Sequence, residues 1–325
     1  VNAAVVTRYG PPEVVELRDR PDLEPRPGEV VMRVRASTMT AADWRMRSGQ
    51  VPRGFGPLVR VVLGWRGPRR AVLGVEAAGD VLAVGKGVTR FAPGDRVVAM
   101  ASARLGGHAE QAVVKASGAI ALIAPEVSYE TAAALPFGGT TAFHFLKDKG
   151  DVRPGDRVLI NGASGGVGTA AIQLARHFGA VVTAVTSAAN AGLVSGLGAS
   201  RVIDYQTQDF AAEGERYDLI LDTVGNCPYA RARPALAEGG RLLLVATDLM
   251  GTLGAVIRPR RQDGHRIIAG VAAERRDVIE LLMQLAASGL LTTPIDRRYR
   301  LDEIRAAHAY VETRRKRGSV IITVD

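Results

Sequence analysis

Short alternations of apolar and polar residues, each broken by proline or glycine, fill the first third of the chain: AAVV, EVVELR, EVVMRVRAS, AAGDVLAVG, DRVVAM and HAEQAVVK, all between Val1 and Ile123. Period-two alternation of this kind predicts half-buried strands. From about Ala124 the texture changes. Stretches rich in alanine and leucine begin to alternate with brief apolar runs, RVLIN, VVTAVT, RVI, YDLILD, GRLLLV and RIIAG. Apolar strands joined by helical crossovers form a parallel sheet covered by helices on both faces. The connecting segments are GVGTAAIQLARHFG, ANAGLVSGLGA, the polar stretch Thr207 to Glu215, and PYARARPALAEG, read as helices that end near glycine. Beyond Val271 a long helix, ERRDVIELLMQLAASG, leads through LDEIRAAHAYVETRRKRG to a closing strand, SVIITV, expected to rejoin the β unit. The predicted organisation is a β unit over 1–123, an α/β unit over 124–270 and a return to the first unit over 271–325.

A length of 325 residues is enough for two cores. The formal charge of +9 comes almost entirely from scattered arginine, and it favours acidic or phosphate-bearing ligands without bearing on fold. Only Arg314 to Arg317 and the Arg53 to Arg70 region are dense, and such runs read as solvated faces. No RNP, zinc-knuckle or basic-zipper pattern supports a nucleic-acid partner. The single cysteine, Cys227, excludes an intramolecular disulfide and any multi-cysteine metal site. The segment VNAAVVTRYG has no basic or apolar targeting region, and no apolar run is long enough to span a membrane, so a cytoplasmic protein is expected.

The stretch VLINGASGGVGTAAIQLA, Val158 to Ala175, carries the strongest chemical signal. A strand that enters a glycine-rich turn and continues as a helix presents backbone N–H groups and the positive helix end to an anion, above all a pyrophosphate. In the G-x-G-x-x-G frame the positions are Ala163, Gly165 and Gly168, with Gly162 one place early. With the six-strand alternation around it, the turn predicts a doubly wound dinucleotide-binding unit in which Ala163, Ser164, Gly165, Gly166, Val167 and Gly168 line the cofactor. An NAD site carries an acidic residue about 20 positions further on. Here the second strand ends AVTSAAN, and no Asp or Glu occurs between Asp156 and Asp204. NADPH is therefore favoured, with Ser187 and Tyr205 as candidate contacts to the 2′-phosphate. Arg201 is either a third contact or an ordinary sheet-edge residue.

The motifs YGPPEVVELRDRPDLEPRPGEV, RFAPGDRVVAM, LPFGGTTAFHFL, RPGDRVLINGASGGVG and GLGASRVIDY resemble the medium-chain dehydrogenase/reductase superfamily, and within it the zinc-independent quinone oxidoreductase (zeta-crystallin-like) branch. The resemblance covers nearly the whole chain. It implies an α/β protein in which a GroES-like β-barrel domain, built from both chain ends, clasps a Rossmann doubly wound parallel-sheet domain, and it implies a homodimer. It also implies that the ligand positions of zinc-dependent members are occupied here by Thr40 in TAAD, Val75 in GVE and Pro136 in LPFGG, none of which binds zinc as those ligands do. The cysteine-rich lobe that holds a second zinc is missing.

Without a Lewis acid the hydride acceptor must be electrophilic already, which points to quinones or activated alkenes. Thr40, where the branch usually carries asparagine, is the candidate catalytic hydrogen-bond donor, or else a loop threonine. The resemblance further suggests a cofactor contact at Thr140, close approach to the nicotinamide ribose at Gly225 in DTVG, and a structural pairing of Glu76 with an arginine. Asp43, lacking a histidine partner, is read as a backbone cap. His108, His144 and His308 are assigned packing or surface roles, and no base is spaced to activate Cys227. Pro52 to Arg70, with Phe55, Leu58, Val62 and Trp65, is either a lid over an apolar pocket or a buttress. The rival to a reductase is a non-catalytic cofactor-binding protein on the same fold, RNA-binding or structural.

Overall fold

A computed structural model describes residues 1–324 apart from 51–60, 62–63, 102–104, 249–251, 254, 256–258 and 260–262. Two large sheets organise the chain. The N-terminal part supplies β1 (Asn2–Val6), β2 (Val15–Asp19), β3 (Glu29–Thr38), helix α1 (Ala41–Ser48), β4 (Glu76–Val84), β5 (Arg96–Met100), β6 (Gln111–Lys115) and β7 (Ala119–Leu122). Two short helices follow, α2 (Tyr129–Ala134) and α3 (Pro136–Phe143). The middle supplies β8 (Arg157–Asn161), α4 (Gly166–His177), β9 (Val181–Thr186), α5 (Ala191–Gly196), β10 (Arg201–Asp204), β11 (Tyr217–Asp222), α6 (Tyr229–Ala232), β12 (Leu236–Leu244) and β13 (Arg266–Ala269). The chain closes with α7 (Arg276–Ala287), β14 (Ile295–Arg300), α8 (Ile304–Glu312) and β15 (Ser319–Thr323).

The six middle strands form one all-parallel sheet in the order β10-β9-β8-β11-β12-β13, the doubly wound dinucleotide-binding order. Its strand order reverses between β8 and β11, so the crevice where such sheets take ligands opens at the C-terminal ends of those two strands. The other sheet runs β14-β15-β3-β4-β5-β7, with β6 also on β3, and so joins the two chain ends in one GroES-like unit. As expected, SVIITV returns there: β15 lies antiparallel to β3, Ile321 opposite Thr38. The largest apolar cluster contains Ala78 and Val98 of this sheet together with Ile160 and Leu221 of the parallel one, so a continuous core crosses the seam.

One expected helix is absent and another is cut to four residues. Residues 207–215 form turns anchored by buried Phe210, with Thr207 and Gln208 N–H groups both on the Asp204 carbonyl. In PYARARPALAEG only Tyr229–Ala232 is α-helical, because Pro234 supplies no N–H to continue it. The chain enters β12 at Leu236, and the β11 pairing jumps from Leu236 to Arg241 across a bulge whose Gly239 has φ +67°. Strand β14, IDRRYR, is half-buried at a sheet edge and gives no apolar pattern.

Candidate functional site at the seam of the two sheets

The glycine turn between β8 and α4 is specified by contact. Gly162 has φ +82°, and a β-carbon there would lie 2.4 Å from Thr223 Oγ1. A β-carbon on Gly168 would lie 2.3 Å from the Gly162 carbonyl oxygen, so only glycine lets the helix sit on the turn. Gly165 differs from both: beyond its chain neighbours the one atom within 4 Å of its added β-carbon is the Gly162 oxygen, at 3.5 Å, which leaves room beside a backbone whose own N–H is on that oxygen at 3.2 Å. The structure thus bears out a glycine turn at Ala163–Gly168 and gives the early Gly162 the role that the formal motif assigns to Ala163. Helix α3 closes on the same turn, since a β-carbon on Gly138 would lie 2.5 Å from the Gly166 carbonyl oxygen.

Around this turn lie the candidate ribose contacts. Ser164 Oγ accepts from Thr186 Oγ1 at 2.9 Å and from Asn190 Nδ2 at 3.1 Å, and Asn190 Oδ1 is buried without a partner among the described residues. Ser187 follows β9, and Tyr205 follows β10 with its N–H on the Thr186 carbonyl at 3.1 Å and is 59% exposed. These two are therefore brought to one edge. Asp204, next to Tyr205, turns its carboxylate back onto the Gln206 N–H at 3.1 Å. Arg201 is not brought there: it starts β10, at the far end of the strand, and pairs with Glu213 at 2.6 Å. Asp222, at the end of β11, is fully buried and accepts from Asn161 Nδ2 and from the N–H groups of Val224, Gly225 and Cys227, all at 2.9–3.1 Å. Gly225, at φ +91°, completes that turn. Burial, then the Asp222 charge, pushes the Cys227 thiol up to about 12, so it is not a thiolate at neutral pH.

The opposite wall belongs to the GroES-like unit. Thr40 caps α1: its Oγ1 donates to Asp43 Oδ2 at 2.6 Å and accepts from the Ala42 and Asp43 N–H groups, while Asp43 Oδ2 also accepts from the Thr40 N–H at 2.9 Å. Asp43 Oδ1 takes the Gly74 N–H at 2.9 Å, so Asp43 caps backbone on two segments. The one hydroxyl proton of Thr40 is thus committed to Asp43, and the residue is only 6% exposed. Thr140 is likewise engaged: buried in α3, it donates to the Pro136 carbonyl at 2.6 Å. Glu76 lies buried beneath this wall and, among the described residues, pairs with no arginine, contrary to expectation. Its carboxyl accepts from Thr38 Oγ1 and, at 2.6 Å, from the Phe137 N–H at the start of α3. Burial pushes the Glu76 carboxyl up to about 8, and the nearby Asp43 charge adds to that.

His108 and His308 are buried in this unit, rings 6.2 Å apart, His108 on the Thr38 carbonyl at 2.9 Å and His308 with both nitrogens unpartnered. His144 faces Asp148 at 3.4 Å across one helical turn. All three have packing or surface roles, as expected. Among the described residues no three His, Cys, Asp or Glu side chains converge to hold a metal ion, and Val75 and Pro136 are buried apolar residues. Phe55, Leu58 and Val62 lie outside the described residues, and Trp65 is 68% exposed. No helix is long and apolar enough to cross a membrane among the described residues.

A six-stranded Rossmann sheet with its glycine turn facing a GroES-like unit is the architecture of an oxidoreductase that takes a nicotinamide cofactor. Residues 26–126 match the alcohol dehydrogenase GroES-like domain, and residues 197–322 match the zinc-binding dehydrogenase family. A quinone oxidoreductase from Pseudomonas aeruginosa is 30% identical over 97% of both chains. An acryloyl-coenzyme A reductase from Metallosphaera sedula is 29% identical over 98% of this chain and 99% of its own. The structure of a quinone oxidoreductase from Coxiella burnetii superposes with a TM-score of 0.87 at 28% identity, covering 100% of this chain and 99% of the other. The chain belongs to the medium-chain dehydrogenase/reductase superfamily, in its quinone oxidoreductase branch.

Proposed function

We propose that the protein is a zinc-independent, NADPH-dependent reductase of quinones or activated alkenes, with 124–270 as its cofactor unit. The observation that carries this reading is the contrast across the seam: an open glycine turn faces a wall whose hydroxyls and carboxylates are already bonded to one another. The turn fits a dinucleotide, because Gly165 leaves the backbone accessible and α4 directs its N-terminal N–H groups there. Asn190 Oδ1, buried and unpartnered, needs a donor of the kind that a ribose hydroxyl provides. Ser187 and Tyr205 offer hydroxyls to a 2′-phosphate, and the one neighbouring carboxylate among the described residues of that edge, Asp204, is turned onto the Gln206 N–H at 3.1 Å. Thr140 and Gly225 stand on the nicotinamide side of the same crevice.

The bound nicotinamide supplies the hydride. The facing wall offers no metal ligands at Thr40, Val75 or Pro136, so it cannot polarise an unactivated carbonyl through zinc. Its contribution is shape and exclusion of water, which suffices for an acceptor that already attracts electrons. Thr40 can hydrogen-bond the developing negative charge only by turning its hydroxyl away from Asp43, and otherwise the balancing proton comes from water. The relatives named for quinone and acryloyl-coenzyme A reduction support both acceptor classes. A homodimer in the cytoplasm completes the proposal.

The test is NADPH and NADH oxidation with a panel of quinones, enones and unsaturated thioesters, run with a chelator present. Turnover with NADPH that withstands chelation is expected. If no acceptor supports turnover, or if chelation abolishes it, the reading fails in favour of a cofactor-binding protein without catalysis or a metal enzyme.

A further inference from the structure

The RRKR run before β15 was expected to be a solvated face, and Arg314, Arg315 and Arg317 are exposed as that requires. Lys316 is not. Gly318 reaches across the seam, its N–H on the Ser164 carbonyl at 2.7 Å, and pairs with Gly165. This crossing sets Lys316 on the glycine turn. Its Nζ lies 3.4 Å from where a β-carbon on Gly166 would stand, and it donates to the Gly318 carbonyl at 2.6 Å.

That is a poor place for a cation. The side chain is half-buried, it makes no ion pair within 4 Å among the described residues, and it sits at the N-terminal turn of α4, whose dipole repels positive charge. Burial holds its ammonium below the usual lysine range, and the attraction of Glu76 and Asp296 does not offset this. A four-carbon stem beside exposed neighbours could reach water instead. An anion on the turn would supply the missing counter-charge and offset both the dipole's repulsion and the cost of burial.

We propose that Lys316 is the counter-charge of the dinucleotide pyrophosphate, delivered from the GroES-like unit to a turn that otherwise offers only backbone N–H groups and hydroxyls. The inference rests on the nicotinamide reading of the site. It makes the pyrophosphate a bridge between the two sheets: the turn holds it from the Rossmann side, and Lys316 holds it from the segment that leads into β15.

The experiment measures equilibrium binding of NADPH, NADH and 2′-AMP to the full chain and its Lys316→Met and Lys316→Arg variants, with the melting temperature of each ligand-free protein. For Lys316→Met we expect both dinucleotides to bind about tenfold to a hundredfold more weakly, the loss of one charge-assisted contact. Binding of 2′-AMP, which lacks the pyrophosphate, stays unchanged, Lys316→Arg recovers most of the affinity, and the ligand-free melting temperature does not fall. Unchanged dinucleotide affinity overturns the proposal. So does a loss confined to NADPH, which would move Lys316 to the 2′-phosphate, or a lower melting temperature with unchanged affinity, which would make it a strut. If the unsubstituted protein binds neither dinucleotide, the nicotinamide reading itself falls and takes this inference with it.

Discussion

The two sides of the seam solve different problems. On the Rossmann side, specificity lies in the absence of side chains: Gly162 and Gly168 are fixed by contacts shorter than any β-carbon tolerates, while Gly165 is left open. On the GroES-like side it lies in side chains that bind each other, Thr40 to Asp43, Asp43 to Gly74, Thr38 to Glu76, and Glu76 to Phe137. The first surface advertises unspent hydrogen-bonding capacity, and the second has none to spare. In the proposed reductase the cofactor would be held by directed bonds and the acceptor by fit, which would restrict it to acceptors that need little activation.

The sharpest way to break this contrast is to fill the turn. Gly168→Val places carbon against the Gly162 carbonyl 2.3 Å away and must push α4 off the turn. We expect dinucleotide affinity to fall by more than about a hundredfold and stability to drop by about 3 kcal/mol, readable by titration and denaturant unfolding. Gly165→Ala meets only an ordinary van der Waals contact with the Gly162 oxygen at 3.5 Å, so it should leave the unfolding midpoint within error and still weaken the cofactor. Equal stability losses for the two variants would show that the open position at Gly165 is packing and not a ligand surface.

Legibility in the sequence follows the same division. Interior parallel strands such as β8, β9 and β11 are buried on both faces, so their apolar runs could be marked directly, and the glycine turn announces itself through residue type. Edge and bulged elements could not be read this way, because β14 is half-buried and charged and β12 begins with a four-residue bulge. The capping box Thr40-x-x-Asp43 is present in the letters TAAD, and Asp43 reads as a cap, but Thr40 suggests catalysis and α1 does not stand out as a helix. Lys316 was hidden because its position depends on Gly318 crossing to Ser164, a contact between residues with no sequence proximity.

A second test concerns charge stored in the side-chain wall. Glu76 has its folded pKa raised to about 8, so it retains a proton that the unfolded chain releases above about pH 4.3. Its stabilising contribution is full below that value and is lost as pH rises towards 8. His308, buried between His108 and Arg47, has its folded pKa lowered, chiefly by burial, so its contribution is full above about pH 6.5 and is lost as pH falls. The two slopes oppose each other below about pH 6.5, where His308 offsets the decline that Glu76 causes at about 1.4 kcal/mol per pH unit, so stability should change least there. It should then decline by about 2 kcal/mol or less towards pH 8. Glu76→Gln should flatten the upper limb and expose a stability that climbs with pH below 6.5, while His308→Phe should do the converse. Urea midpoints across this range give the answer, and an unchanged pH profile in both variants would show that neither group titrates as its burial demands.

The smallest expected effect separates the two roles open to Thr40. As a cap it satisfies the Ala42 and Asp43 N–H groups and gives its proton to Asp43, and removing such a hydroxyl costs about 1 kcal/mol. As a donor to the substrate it would be worth far more, since losing one hydrogen bond to a developing oxyanion costs about 3 kcal/mol, or a hundredfold in kcat. Thr40→Val keeps the shape and deletes the hydroxyl, so unfolding and turnover read the two roles apart. We expect stability to fall by about 1 kcal/mol and kcat by less than about tenfold, with KM for the cofactor unchanged. Thr40→Ser, which keeps both the cap and the proton, should restore stability in either case. A hundredfold fall in kcat for Thr40→Val, recovered in Thr40→Ser, would mean that the hydroxyl leaves Asp43 during reduction. The side-chain wall would then be a reactive surface like the one it faces.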